Sequence, residues 1–158
     1  MMLTMTALVQ WLHIVAGLIW IGSNIYQDYV IWPTLLSRPA GEARAIYETS
    51  SKYAAPLMMY TGMVVMLLGI IRGTLLGPIK SFGDLVTTPY GITWLVALLM
   101  MIFVIAWGGR FRSKLDSAVW NGEQFHPAAL QTIRSNTLVS NIAFAIILAC
   151  MVLMRFGL

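Results

Sequence analysis

Charge is scarce in this chain. Only 10% of its 158 residues are charged, while 59% are hydrophobic and the mean hydropathy is +0.78. A soluble domain carries roughly 25% charge against about 45–50% apolar residues. The 10 Lys and Arg and 6 Asp and Glu residues cannot cover a water-facing surface, which excludes a soluble globular enzyme, a disordered chain and a nucleic-acid binder. Cysteine is nearly absent too. The single Cys150 excludes an internal disulfide and any cysteine-based zinc or iron–sulfur site within one chain. Of the two histidines, only His13 lies in an apolar segment.

What remains is arranged in long charge-free windows. Residues 1–27, 53–71, 85–109 and 135–154 hold no Asp, Glu, Lys or Arg, over 27, 19, 25 and 20 residues. A helix needs roughly 20 apolar residues to cross about 30 Å of hydrocarbon. Four windows predict four spans, at about 6–32, 54–76, 89–109 and 135–155, in a single transmembrane domain filling 1–158. Stretches such as 96–106 do not alternate polar with apolar, as a transmembrane β-barrel strand must. The first window has no basic start and no small-residue cleavage site, so it reads as a retained helix and not a cleaved signal peptide. Short connections imply antiparallel neighbours, hence an all-α, up-down four-helix bundle.

The loop charges orient it. Arg38, Arg44, Lys52, Arg110, Arg112, Lys114 and Arg134 fall on one side, and Arg72, Lys80 and Arg155 on the other, seven against three. Positive residues stay cytoplasmic, so both termini are expected on the outer, periplasmic side of a bacterial inner membrane. Along the chain, Pro33 is expected to stop span one. The stretch 42–52 is either an interfacial helix or the start of span two. Pro56 is expected near that start, and Gly77–Pro78 at its end. The segment 79–88 is expected to be a short loop that Pro89 follows by opening span three. Residues 110–119 extend that helix, Asn121–Gly122 makes a turn, and Pro127 opens the last helix.

Span one carries the chemistry. Gln10, His13, Gly17, Trp20, Asn24 and Gln27 share one helical stripe, and polar groups in a bilayer turn toward the bundle or a ligand. The stripe serves either as helix–helix glue or as a ligand lining. His13 lies about 6–9 Å from the outer end at 1.5 Å per residue. Its imidazole is either a metal or haem axial ligand or hydrogen-bonded to a neighbouring carbonyl. Gly17, one turn along, leaves room beside the ring. Arg72 and Arg155 sit at the same end, where each snorkels to headgroups or pairs with carboxylates. Met58, Met59, Met63 and Met66 are either packing or soft copper ligands, and Met1, Met2 and Met5 could flank a metal path. Gly69 and Gly73 form a G-x-x-x-G step, a packing signal. Asn136, Ser140 and Asn141 are expected to bond neighbouring helices, and His126 to lie at the surface. Asp28, the nearest approach to an intramembrane acid, is placed at the cytoplasmic interface. No hydrolytic, phosphoryl-transfer or paired-carboxylate constellation is present, so no enzymatic activity is assigned.

The run L-H-I-V-A-G-L-I-W-I-G at 12–22 resembles the first helix of small four-helix bacterial membrane proteins related to copper-resistance protein D. Similar L-H-x-x-x-G-x-x-W-x-G helices occur in the membrane domain of bacterial urate oxidases. The T-P-Y-G start of span three and the final Asn141…M-x-x-M-R helix fit the same pattern. The resemblance implies a four-helix bundle with a link to copper or haem, and carries over His13 as the candidate ligand. Two features depart from it: Trp94 or a nearby apolar residue stands where these proteins often have a lysine, and the spans hold no second histidine. The expected protein binds a metal cofactor, haem b or alternatively copper, for electron transfer or cofactor handling. Its ligand is His13, with Gly17, Trp20 and Asn24 lining the site and Arg72 and Arg155 near the propionates. Its partners are the lipid bilayer and other membrane subunits or a homo-oligomer. The other class of reading is a cofactor-free structural subunit of such an assembly.

Overall fold

The computed structural model describes residues 2–158, apart from the side chains of Met2 and Asp116. Met1, one of the three methionines proposed to flank a metal path, lies outside the described residues, as does the Met2 side chain. Helices account for about 85% of the chain, so the fold class is all-α. The order is α1 (Met2–Tyr26), a π-helical turn (Gln27–Ile31), α2 (Trp32–Leu36), α3 (Ala40–Gly73), α4 (Phe82–Thr87), α5 (Pro89–Val119), a two-stranded hairpin of β1 (Trp120–Asn121) and β2 (Gln124–Phe125), and α6 (Ala129–Arg155). Four helices are long and apolar enough to cross a membrane: Leu3–Leu36, Ala40–Gly73, Pro89–Leu115 and Ala129–Arg155. Only 11% to 28% of their most apolar windows is buried. Many of their large apolar side chains are exposed, as expected of helices whose apolar surface meets lipid.

Contacts fix the directions. Gln10 meets Arg72, His13 meets Gly69 and Trp20 meets Gly62, so the partner number falls as the α1 number rises. The first two spans are therefore antiparallel. Gly73 meets Trp94 while Val65 clusters with Met101 and Val104, and Trp107 meets Asn136 while Leu115 and Val119 cluster with Ala129 and Ile133, so the same relation holds for α3 with α5 and for α5 with α6. Both termini lie at one end of the bundle, and the hairpin lies at the other.

Span one does not stop at Pro33. Proline lacks an N–H and its ring presses on the preceding turn, and the π-helical turn just before it widens the helix there. The Thr34 hydroxyl then donates to the Val30 carbonyl at 2.7 Å, and the helix runs on to Leu36. Pro56 likewise lies well inside α3 rather than near its start, because 42–52 is the beginning of that helix. These polar turns carry Arg38–Glu42 and Arg44–Glu48 pairs one turn apart. The expected loop at 79–88 contains α4, nucleated by a capping box in which Ser81 accepts the Asp84 N–H and Asp84 accepts the Ser81 N–H. Pro89 does open α5, with Thr88 as its cap. Gly122 takes φ +62° at the first central position of the hairpin, the type II′ geometry that glycine accepts without a Cβ clash.

Two clusters hold the bundle. Trp20, Val65, Met101, Val104, Ala143, Phe144 and Ile147 meet in the middle, with contributions from all four long helices. Trp20 sets its ring edge-on to Phe144 at 5.1 Å. At the hairpin end, Trp32 is 1% exposed and stacks on Tyr47 at 5.2 Å, while Trp120 stacks on Phe125 at the same spacing. The hairpin thus brings an indole down onto the ends of the long helices.

Trp32→Ala is expected to cost about 3–5 kcal/mol, read as a lowered thermal midpoint in detergent. A second outcome concerns Asp84. The Lys80 N–H, then the Ser81 hydroxyl and N–H, hold its carboxyl below the usual carboxylate range. A depressed folded value means that the cap is intact above the ordinary carboxylate pKa and is lost as pH falls through the lowered one. The amide resonances of Lys80 and Ser81 should therefore titrate below that range in the wild type, and show no such transition in Asp84→Asn.

Candidate functional site

Toward the terminal end, α3 presents three glycines to aromatic rings. A Cβ on Gly62 would stand 2.8 Å from Trp20 Nε1, and one on Gly69 would stand 3.1 Å from His13 Cε1. A Cβ on Gly73 would collide with the Trp94 indole. Absent side chains on α3 are thus sockets for Trp20, His13 and Trp94. The polar ring atoms then reach backbone carbonyls: Trp94 Nε1 donates to Gly69 O at 3.2 Å, and His13 Nδ1 lies 3.0 Å from Val65 O.

The His13 contact sets the tautomer. A carbonyl only accepts, so Nδ1 carries the proton and a neutral ring presents a lone pair at Nε2. Nε2 has no hydrogen bond. Among the described residues, no fully buried side-chain nitrogen or oxygen lacks a partner, so Nε2 is open to its surroundings. Gly17, on the same face, is buried, yet nothing stands within 4 Å of where its Cβ would be. One turn toward the terminal end, Arg72 Nε donates to Gln10 Oε1 at 3.1 Å, and both residues line an open groove of ≈ 470 Å³ with Leu3, Thr6 and Ala7.

The remaining residues singled out from the sequence are placed differently. Trp20 is 5% exposed, its indole packed between Gly62 and Phe144. Asn24 Nδ2 donates to the Trp20 carbonyl one turn back at 2.8 Å. Arg155 is exposed in the last turn of α6 and lines no part of the groove. Met59 and Met63 are 55% and 52% exposed, whereas Met66 packs on the middle cluster. Asn136 accepts from Trp107 Nε1 at 3.0 Å, joining α6 to α5. Exposed His126 accepts the Ala128 N–H. Sequence reasoning missed Trp94, whose position tells nothing until α5 is known to lie on Gly73. It also missed the Gln10–Arg72 pair, although both members lie at the terminal ends of their helices.

Among the described residues, no three His, Cys, Asp or Glu side chains come together as a metal cage. No protein-family model, curated protein or solved structure matches this chain.

Filled and unfilled glycines should respond oppositely. Gly62→Ala and Gly73→Ala overpack the seam and should each cost about 1–3 kcal/mol. Gly17→Ala meets open space and should gain up to about 1 kcal/mol from helix propensity. Thermal unfolding in one detergent compares all three.

Proposed function

We propose that this protein holds one b-type haem through His13 Nε2 near the outer face of a bacterial inner membrane, in electron transfer or cofactor handling. The observation that carries the reading is the His13 ring itself. Its Nδ1–H is tied to the Val65 carbonyl while Nε2 is unbonded. Ligating imidazoles are ordinarily oriented in this way, by a backbone or carboxylate acceptor on the far nitrogen. A bare ion needs three or four protein donors around it, and among the described residues no three His, Cys, Asp or Glu side chains come together. A haem brings its own equatorial nitrogens and asks the chain for axial ones, so the donor set fits haem better than copper.

When bound, the group supplies one-electron redox chemistry at its iron. The chain's own residues do the rest. Val65 fixes the ring's tautomer, and Gly69 lets the ring seat against α3. Gly17 leaves space on the His13 face, with Trp20 and Asn24 further along it. Arg72, steadied by Gln10, places a cation where acidic arms would reach, and Arg155 stands at the same end. The resemblance of residues 12–22 to copper-resistance protein D relatives supports the same choice of ligand. The seven-to-three distribution of basic residues supports the outward placement of the termini.

A second reading has its own observation. With Trp20 and Trp94 filling their sockets and most of the apolar helix surface unburied, the chain also suits a cofactor-free subunit of a membrane assembly or homo-oligomer. The visible spectrum of protein purified in mild detergent separates the two. A Soret band is expected, abolished in His13→Ala. Gly17→Leu should weaken the band while keeping the wild-type far-UV circular dichroism. A colourless protein without iron or copper by elemental analysis would leave the structural reading.

A further inference from the structure

The open groove of ≈ 470 Å³ beside Arg72 has a charge and a depth of its own. It lies where the first turns of α1 run past the last turn of α3, with Leu3, Thr6 and Ala7 along α1 and Gln10 and Arg72 at its inner end. The guanidinium is half-buried. Its Nε donates to Gln10 Oε1 at 3.1 Å, and Nη1 reaches the Leu76 carbonyl at 3.5 Å. Arg72 Nη2 and the Gln10 amide nitrogen have no protein partner. Two unused donor groups thus stand side by side in the groove, joined by the bond that orients them.

No neighbouring charge neutralises the arginine. No Asp or Glu lines the groove, and residues 1–27 and 53–71 hold none. In the adjoining connection, the Asp84 carboxylate accepts the Lys80 and Ser81 N–H groups, and Lys80 Nζ donates to the Thr74 and Leu75 carbonyls at 2.9 and 3.1 Å. Among the described residues, the ion pairs are Arg38–Glu42 and Arg44–Glu48, both at the hairpin end. A cation partly withdrawn from water calls for an anion, and a guanidinium beside an amide suits the oxygens of a phosphate.

Depth selects the source of that phosphate. Arg72 follows directly on the charge-free window 53–71, and Trp11, next to Gln10, is 60% exposed. Exposed tryptophans on spanning helices favour the headgroup level. Leu3 and Ala7 offer an apolar wall to a glycerol backbone. A zwitterionic headgroup would also bring an ammonium, for which the groove holds no carboxylate.

We infer that the groove between the outer ends of α1 and α3 binds an acidic phospholipid, its phosphate held by Arg72 and Gln10. Basic pockets between spanning helices take such headgroups. The site does not rest on the haem reading, because retained lipid is read by mass in colourless and coloured protein alike.

The test is native mass spectrometry of the full chain in detergent, titrated with phosphatidylglycerol or phosphatidylcholine. One phosphatidylglycerol is expected to be retained in preference to phosphatidylcholine. Arg72→Gln should weaken its binding about tenfold or more, and Gln10→Ala by less. Arg112→Gln, at the hairpin end, should leave it unchanged. Where Arg72→Gln fails to fold, brominated phosphatidylglycerol should still quench the wild-type tryptophan emission more than brominated phosphatidylcholine does, and Trp11→Phe should remove the excess. Equal retention or equal quenching by the two lipids, or a preference that survives in Arg72→Gln, would overturn the site. So would displacement of the lipid by millimolar inorganic phosphate, which would make the ligand a free anion.

Discussion

The seam between the first two spans governs the arrangement of the bundle. In a bilayer, apolar side chains gain little by leaving lipid for one another, so helices associate through close packing and polar contacts. Here both come from the same positions. Gly62, Gly69 and Gly73 remove the side chains that would hold α3 away, and Trp20, His13 and Trp94 occupy the space left. Two of those rings then donate to α3 carbonyls, so the close approach made possible by the missing Cβ atoms brings the polar ring atoms within hydrogen-bonding range. A slip of one residue along the α1–α3 seam would place Trp20 and His13 against side chains and lose the His13 bond. The register of α1 on α3, and through Trp94 of α3 on α5, follows from that constraint.

The spans were legible in the sequence because charge cannot be hidden in hydrocarbon. An apolar run of 19 or more residues without any charge has the length and the composition of a membrane crossing. Helix ends were less legible, because α3 and α5 continue past the membrane into water, where helical and loop segments are both polar. The turn at Asn121–Gly122 showed in two letters, since few residues tolerate positive φ. The Ser81–Asp84 capping box was equally visible as a pattern, but the shortness of the segment favoured a loop. Pro33 misled for a physical reason: a proline ends a regular α-helix, but a π-helical turn absorbs its missing donor and its ring.

The site was legible in part. The stripe of Gln10, His13, Gly17 and Trp20 marked the face of α1 that turns inward, because polar and small residues are disfavoured against lipid. What each residue meets there depends on the register of α3, which no single helix encodes. Glycines on span two therefore read only as a packing signal. In the fold they receive specific rings, and the arginine that looked like a snorkelling residue is fixed by a glutamine from the neighbouring helix.

Helix geometry differs at two polar positions of span one. At His13 the helices are regular, and the carbonyl that orients the imidazole is one already serving its own helix, accepting a second bond on its other lone pair. This arrangement leaves α3 intact. At Asp28 the helix itself is altered, since the Trp32 N–H reaches back five residues to the Gln27 carbonyl. A regular helix can present side chains to a ligand but keeps its carbonyls. The first arrangement suits a cofactor that supplies most of its own ligands.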